Sequence, residues 1–285
     1  MKQIILTAFI LASLTAQDDF VGETFDRGSI NYADRTIQAT GIGFIPVNVI
    51  NAGQARRSAM RIAKQDALRQ LIEIVNGVNV TSETTVSGAM FDDVIKTQVQ
   101  GAIRGARKVG EPKYLSDTSV EVVYEVNMNN ISRALLPMAE RAPVLSYESV
   151  TATGTAEVAA DQGGGAAAAP ASGGVTGIII DGSGLGLRPA MSPRILNQSG
   201  TVLYGPGQYD RDYAAANGVV GYAKTLGQAK ADTRVQGNPL VLRGASASGT
   251  AKTDVIISNA DAGKLVSAGR SAGLLQDCRI MFVLN

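Results

Sequence analysis

Residues 151–174, TATGTAEVAADQGGGAAAAPASGG, limit what this chain can fold into more than any other stretch. Small residues dominate it and large apolar side chains are nearly absent, so it cannot bury a core and reads as a flexible linker. Taken with its flanks, 141–174 divides the 285 residues into two parts. Each is long enough for its own apolar interior. The twenty-odd residues of 151–174 span ~25–30 Å on average as a random coil, so the two units need not touch.

The amino terminus, MKQIILTAFILASLTAQDD, has one Lys, an apolar run from Ile4 to Leu14, then small residues before an acidic start. This is the pattern of a secretory leader cut near Ala16. The run falls short of the ~20 residues that span a bilayer. No Cys follows it, so the pattern offers no site for a lipidated Cys. The expected order is a leader over 1–16, a first α+β domain over 17–140, the linker over 141–174 and a second α+β domain over 175–285.

Charge and composition exclude several functions. Residues 17–141 carry 14 basic and 15 acidic side chains, and 142–285 carry 11 and 10. Neither half has the basic excess of a nucleic-acid binder. The chain contains no His, which removes the commonest general base and metal ligand. Its single Cys278 can form neither an intrachain disulfide nor a thiolate metal site alone.

In the first domain, residues 30–45 read as an extended segment ending in glycines. A long helix follows over 52–76, with Ala59, Ile62, Ala63, Ala67, Leu71, Ile74 and Val75 at helical spacing and Asn76-Gly77 as a stop. Its other side carries Arg56, Arg57, Arg61, Lys64 and Arg69, a basic run suited to an acidic partner or simply to water. Val78, Val80, Ser82, Thr84 and Val86 alternate as a strand does. A helix over 92–104, with Val94, Ile95, Val99, Ala102 and Ile103 on its apolar side, precedes a hairpin of 107–115 and 118–128. A short helix near 130–140 closes the unit. Helices on a mostly antiparallel sheet are expected here, and the same in the second domain. There, strands are predicted at 176–181, 193–197, 201–204, 239–245, 252–258 and 278–284. A helix is predicted over 260–268, with helical potential between 209 and 231.

Three patterns imitate active sites. In TGIIIDGSGLGLRPAMSPRIL (176–196), Gly182, Gly184 and Gly186 suggest a phosphate loop. Their spacing is G-x-G-x-G, no G-K-[ST] follows, and Pro189 and Pro193 disfavour the helix such a loop requires. A turn needing positive φ fits better. Gly269-Arg270-Ser271-Ala272-Gly273 matches G-x-S-x-G but places a helix before the Ser, the reverse of a nucleophile elbow. Asp181, Asp210 and Asp212 lack the glycine and distal Glu of a calcium loop. No catalytic, cofactor-binding or metal-ligating residue is assigned. Tyr204, Tyr209, Tyr213 and Tyr222 cluster in an otherwise aromatic-poor half and would line a pocket if it bound a glycan or protein. Cys278, Ile280, Phe282 and Leu284 share one side of the last strand, making Cys278 a small buried hydrophobe.

IQATGIG (37–43), ARRSAMRIAKQDALRQLIEIVNGVNVTSETTV (55–86) and GARKVGEPKYLSDTSVEVVYEVNM (105–128) resemble the bacterial envelope family named for a twenty-kilodalton surface lipoprotein. That family includes the flagellar proteins FlgP and, more distantly, the amino-terminal part of FlgT. The resemblance covers about residues 36–130, and the second domain looks like the carboxy-terminal extension of longer members. It implies an exported, non-enzymatic envelope protein of the periplasm, outer membrane or flagellar accessory structures; taken with the two small domains, the expectation is a structural protein that acts as a homo-oligomer through protein contacts. Members of the name-giving type carry a lipidated Cys after the leader, and this chain does not. Retention at an outer membrane would then depend on partners or self-assembly.

Overall fold

The computed structural model describes residues 20–45, 51–116, 119–141 and 174–284. The leader and nearly all of the predicted linker lie outside them. The chain is α+β, with two separate sheets.

The first sheet has five antiparallel strands in the order β1-β2-β3-β5-β4. They are β1 (Gly22–Phe25), β2 (Gly28–Asn31), β3 (Thr36–Gly43), β4 (Arg107–Tyr114) and β5 (Val120–Asn127). Helix α1 (Ala52–Asn76) begins where the Asn51 side chain accepts from the Gly53 N–H and ends at Gly77, as the stop signal implies. Ala55, Ala59, Ala63 and Ala67 form its buried stripe. These small residues let the helix lie close on β3: a Cβ at Gly41 would sit 2.0 Å from the Ala63 carbonyl oxygen, and one at Gly43 2.0 Å from that of Ala59. Val120 and Val122 of β5 complete this layer. Ile62, assigned to the apolar side from spacing, is exposed instead. Helices α2 (Val86–Ala89), α3 (Asp93–Arg104) and α4 (Met128–Arg141) complete the unit. Asp92 caps α3 through bonds from the Val94 and Ile95 N–H groups.

The second sheet has seven strands in the order β8-β7-β11-β10-β6-β12-β9. In chain order they are β6 (Ile178–Asp181), β7 (Ile195–Asn197), β8 (Val202–Tyr204), β9 (Gly221–Ala223), β10 (Leu240–Ser248), β11 (Asp254–Ile257) and β12 (Ile280–Val283). Helices α5 (Arg211–Asn217), α6 (Leu226–Ala231) and α7 (Asn259–Ala272) connect them. This sheet corrects the antiparallel expectation. Only β7–β8 and β10–β11 are antiparallel, whereas β6–β10, β6–β12, β7–β11 and β9–β12 are parallel. The physical reason is visible in Ile178, Ile179 and Ile180, all fully buried, and in Ile280–Val283. Unbroken apolar runs belong to strands covered on both faces, the usual setting of parallel pairing.

Residues 78–86 also depart from expectation. Residues 78–85 form a looped strap with one isolated bridge, Asn79 to Thr85, rather than a strand of the first sheet, and Val86 opens α2. Val78 and Val80 are buried, but the strap's backbone serves the other half of the chain. The Asn79 carbonyl accepts from Met191 N–H (2.9 Å), Val80 from Ser192 (2.8 Å) and Ser82 from Ala251 (2.9 Å). One apolar cluster runs from Val21 and Leu71 through Val80 to Ile178, Tyr204 and Phe282. The expectation that the two units need not touch is therefore overturned.

Candidate functional site

The glycine loop after β6 is a turn. Ser183 N–H donates to Asp181 Oδ1 (3.0 Å), Leu185 N–H to the Gly182 carbonyl (3.1 Å), and Gly184 and Gly186 have φ of 79° and 63°. The next helix, α5, starts only at Arg211, so the strand–loop–helix arrangement of a phosphate loop is not formed. Asp181 pairs with Arg243 at 3.2 Å. Hydrogen bonds from Ser183 hold its carboxyl below the usual value. Asp210 caps α5 by accepting from Tyr213 N–H (2.7 Å), and Asp212 sits exposed in the first turn of that helix. The structure does not bring the three aspartates together: among the described residues, no group of His, Cys, Asp and Glu is placed to hold a metal ion. Ser271 lies in the last turn of α7, which ends at Gly273 in the left-handed conformation (φ 65°).

The tyrosines divide. Tyr204, Tyr209 and Tyr222 are core residues whose hydroxyls find buried partners. Tyr204 donates to the Val219 carbonyl (2.7 Å), Tyr209 meets Ser192 Oγ (3.0 Å), and Tyr222 donates to the Ala190 carbonyl (2.8 Å). Burial pushes the Tyr209 hydroxyl up to about 12, with the Ser192 bond opposing it. Tyr213 alone is strongly exposed, at 42%. Cys278 is buried, and burial raises its thiol. Its φ of 50° places it in a turn before β12 rather than in the predicted strand.

What the structure does assemble lies along the seam between the halves. Arg194, just before β7, donates to Asp254 Oδ2 through Nε (2.8 Å), to Glu83 (2.9 Å) and to Ser82 Oγ (2.8 Å). Asp254 also accepts from Ser82 Oγ (2.7 Å) and from Arg194 N–H (2.8 Å). Burial pushes the Asp254 carboxyl up despite the Ser82 and Arg194 bonds that oppose it.

At another part of the seam, Arg35, with φ 56°, reaches the end of α5 and donates to the carbonyls of Ala216 (2.7 Å) and Ala215 (3.2 Å). Arg234 caps the same helix end through Asn217 and Gly218. These cations suit the negative pole of the helix. Burial first, then the nearby Arg234 charge, lowers Arg35 to about 10. Beside them opens a cleft of about 230 Å³, lined by Arg35, Tyr213, Tyr222, Asp232, Arg234 and Arg279. Its cations and one exposed tyrosine can accept an anionic group. Of the four predicted tyrosines, only Tyr213 and Tyr222 line it.

Two further surfaces stand out. Arg56, Arg57, Arg61 and Lys64 project from the first half of α1, with Arg56 lying 4.9 Å over the Tyr114 ring and Lys64 5.8 Å over that of Tyr124. Arg69, grouped with them from sequence, pairs with Asp66 at 2.9 Å. At the start of α3, Phe91 is 93% exposed and Val94 65% exposed, flanking Asp92 and Asp93. Val94 thus leaves the apolar side assigned to it. Sequence reasoning missed this knob, and also the seam residues Arg35, Ser82, Arg194 and Asp254. For the knob, the available signal was Phe-Asp-Asp, an aromatic set directly before a helix cap.

Residues 177–285 match the family model described as Treponema pallidum Tp0624, second domain. The match opens one residue before β6 and takes in the whole seven-stranded sheet. No curated protein matches the chain.

Proposed function

We propose that this chain is a non-enzymatic structural protein of a bacterial envelope or surface appendage, such as a flagellar accessory structure, acting by self-association and protein contacts. The observation that carries the reading is the knob at the start of α3. An aromatic ring 93% exposed beside a 65% exposed valine has the character of an interface residue lacking its partner. The leader pattern over 1–16 and the family resemblance over 36–130 support export and an envelope setting. No helix among the described residues is long and apolar enough to cross a membrane.

Sedimentation velocity of the chain lacking residues 1–16, at micromolar concentration, tests the proposal. Concentration-dependent association is expected. A strict monomer that captures no envelope protein overturns it.

A second reading, a periplasmic binding or adaptor module, draws on the cleft with Tyr213, Arg234 and Arg279. Titration with acidic oligosaccharides by calorimetry separates the two readings. Saturable heat abolished by Arg279→Glu favours the adaptor.

A further inference from the structure

We propose that copies of this chain join head to tail, the Phe91–Val94 knob of one copy seating on the basic stripe of α1 in the next. This rests on the self-association reading above and specifies its geometry.

Arg57, Arg61 and Lys64 follow at i, i+4 and i+7, so they align along one side of α1. Arg56 and Lys64 are drawn over the rings of Tyr114 and Tyr124. None of the four cations has a carboxylate partner among the described residues, and no acidic residue sits in the helix's first turn. The stripe is thus a concentrated positive surface bordered by the exposed Tyr114 and Leu115.

The knob is its complement. Asp92 and Asp93 are exposed, and Asp92 already has its Oδ1 committed to the helix cap. Phe91 and Val94 supply apolar area on either side of these charges. In the proposed contact, Phe91 packs against Tyr114 and Leu115, while the two carboxylates meet the guanidinium and ammonium groups of the stripe. Opposite charges set orientation and encounter rate, and the aromatic contact supplies the buried anchor.

Within one chain, no ion pair joins Asp92 or Asp93 to the stripe, and the exposure of Phe91 leaves it open to a second copy. Because knob and stripe are different surfaces, the contact is heterologous. It repeats from copy to copy, closing into a ring or extending as a filament.

The test uses the chain lacking residues 1–16 in two variants, one with the knob removed (F91S/D93K) and one with the stripe reversed (R57E/R61E). Sedimentation velocity and native mass spectrometry read the species formed. Each variant alone is expected to associate about tenfold more weakly or worse than the unaltered chain. An equimolar mixture is expected to give a dimer and nothing larger, because one intact knob then meets one intact stripe.

A mixed dimer also demonstrates that both variants are folded. If either variant misfolds by circular dichroism, Phe91→Asn and Arg61→Gln supply the same readout. Unchanged association of the single variants, or a mixture that stays monomeric, overturns the head-to-tail contact while leaving self-association standing. A monomeric unaltered chain overturns both.

Discussion

Replacing Asp254 with Ala tests whether the seam holds the molecule together. The Asp254 carboxylate is almost wholly buried and accepts from Ser82 Oγ, Arg194 N–H and Arg194 Nε at 2.7–2.8 Å. Arg194 itself is only 11% exposed. Removing the carboxylate leaves a buried guanidinium with Glu83 as its remaining charged partner. Breaking one side of such a pair costs about 3–5 kcal/mol, chiefly from the stranded charge. The freed Arg194 N–H adds part of the 1–3 kcal/mol typical of an orphaned donor. The Ser82 hydroxyl adds little, because Glu83 Oε1 lies 2.8 Å away. The terms overlap, so about 4 kcal/mol is expected. At roughly 2–4 °C per kcal/mol for chains of this size, the melting temperature falls by roughly 8–16 °C.

Thermal and urea denaturation followed by circular dichroism provide the measurement. Asp254→Asn keeps an acceptor and should fall between the unaltered chain and Asp254→Ala. The doubly apolar Asp254→Leu/Arg194→Met strands no deeply buried charge, leaving only the partly exposed Glu83 without its cation, and should be less damaging than Asp254→Ala. A loss below about 1 kcal/mol in Asp254→Ala would refute the argument, because the seam could not then depend on a desolvated ion pair.

Other outcomes follow from the packing and titration of named groups. Gly41→Ala should destabilise by about 1–3 kcal/mol in urea unfolding, since its Cβ would press on the α1 backbone. Gly101→Ala, in the last turn of α3 with open space around it, should stabilise by about 0.4–1 kcal/mol in the same assay. Cys278 should resist thiol reagents in the native protein at pH 8 and react at once in urea, because burial raises its thiol. Burial raises the Asp66 carboxyl, but the Ile42 N–H and the Arg27 and Arg69 guanidiniums outweigh it and leave a net lowering. A lowered folded value means that stability is present above the ordinary carboxylate range and lost as pH falls through the folded value. Melting temperature should therefore drop on acidification in the unaltered chain, with a shallower acid limb in Asp66→Asn.

Local signals in the sequence carried most of the first half. Asn76-Gly77 located the end of α1, and Asp92 capped α3, because caps depend on neighbours within a few residues. The β4–β5 hairpin followed from alternation. β1 and β9 were missed because four and three residues are too few to display a period. Sheet direction in the second half was misread although Ile178–Ile180 and Ile280–Val283 held the cue, since an unbroken apolar run must be weighed against an alternating one. The strap was misread because its valines alternate as a strand's do, while its backbone carbonyls bond to the far half of the chain. Ser82 and Asp254 are 172 positions apart, and no window of sequence shows such a pairing. The candidate surfaces were half legible: the basic stripe stood out as a charge run, while the knob became visible only once Val94 proved to be exposed.

The strap also sets an order in time. A chain made from its amino terminus completes the first sheet and α1 long before Met191, Ser192 and Ala251 exist to receive residues 79–82. Closing contacts so distant in sequence is intrinsically slow. In that interval the Asn79, Val80 and Ser82 carbonyls have no partner from the second half, and any nearby copy whose second half is already formed offers an equivalent seat. Crowded synthesis would therefore favour strap exchange between copies, whereas dilute refolding would favour closure within one chain.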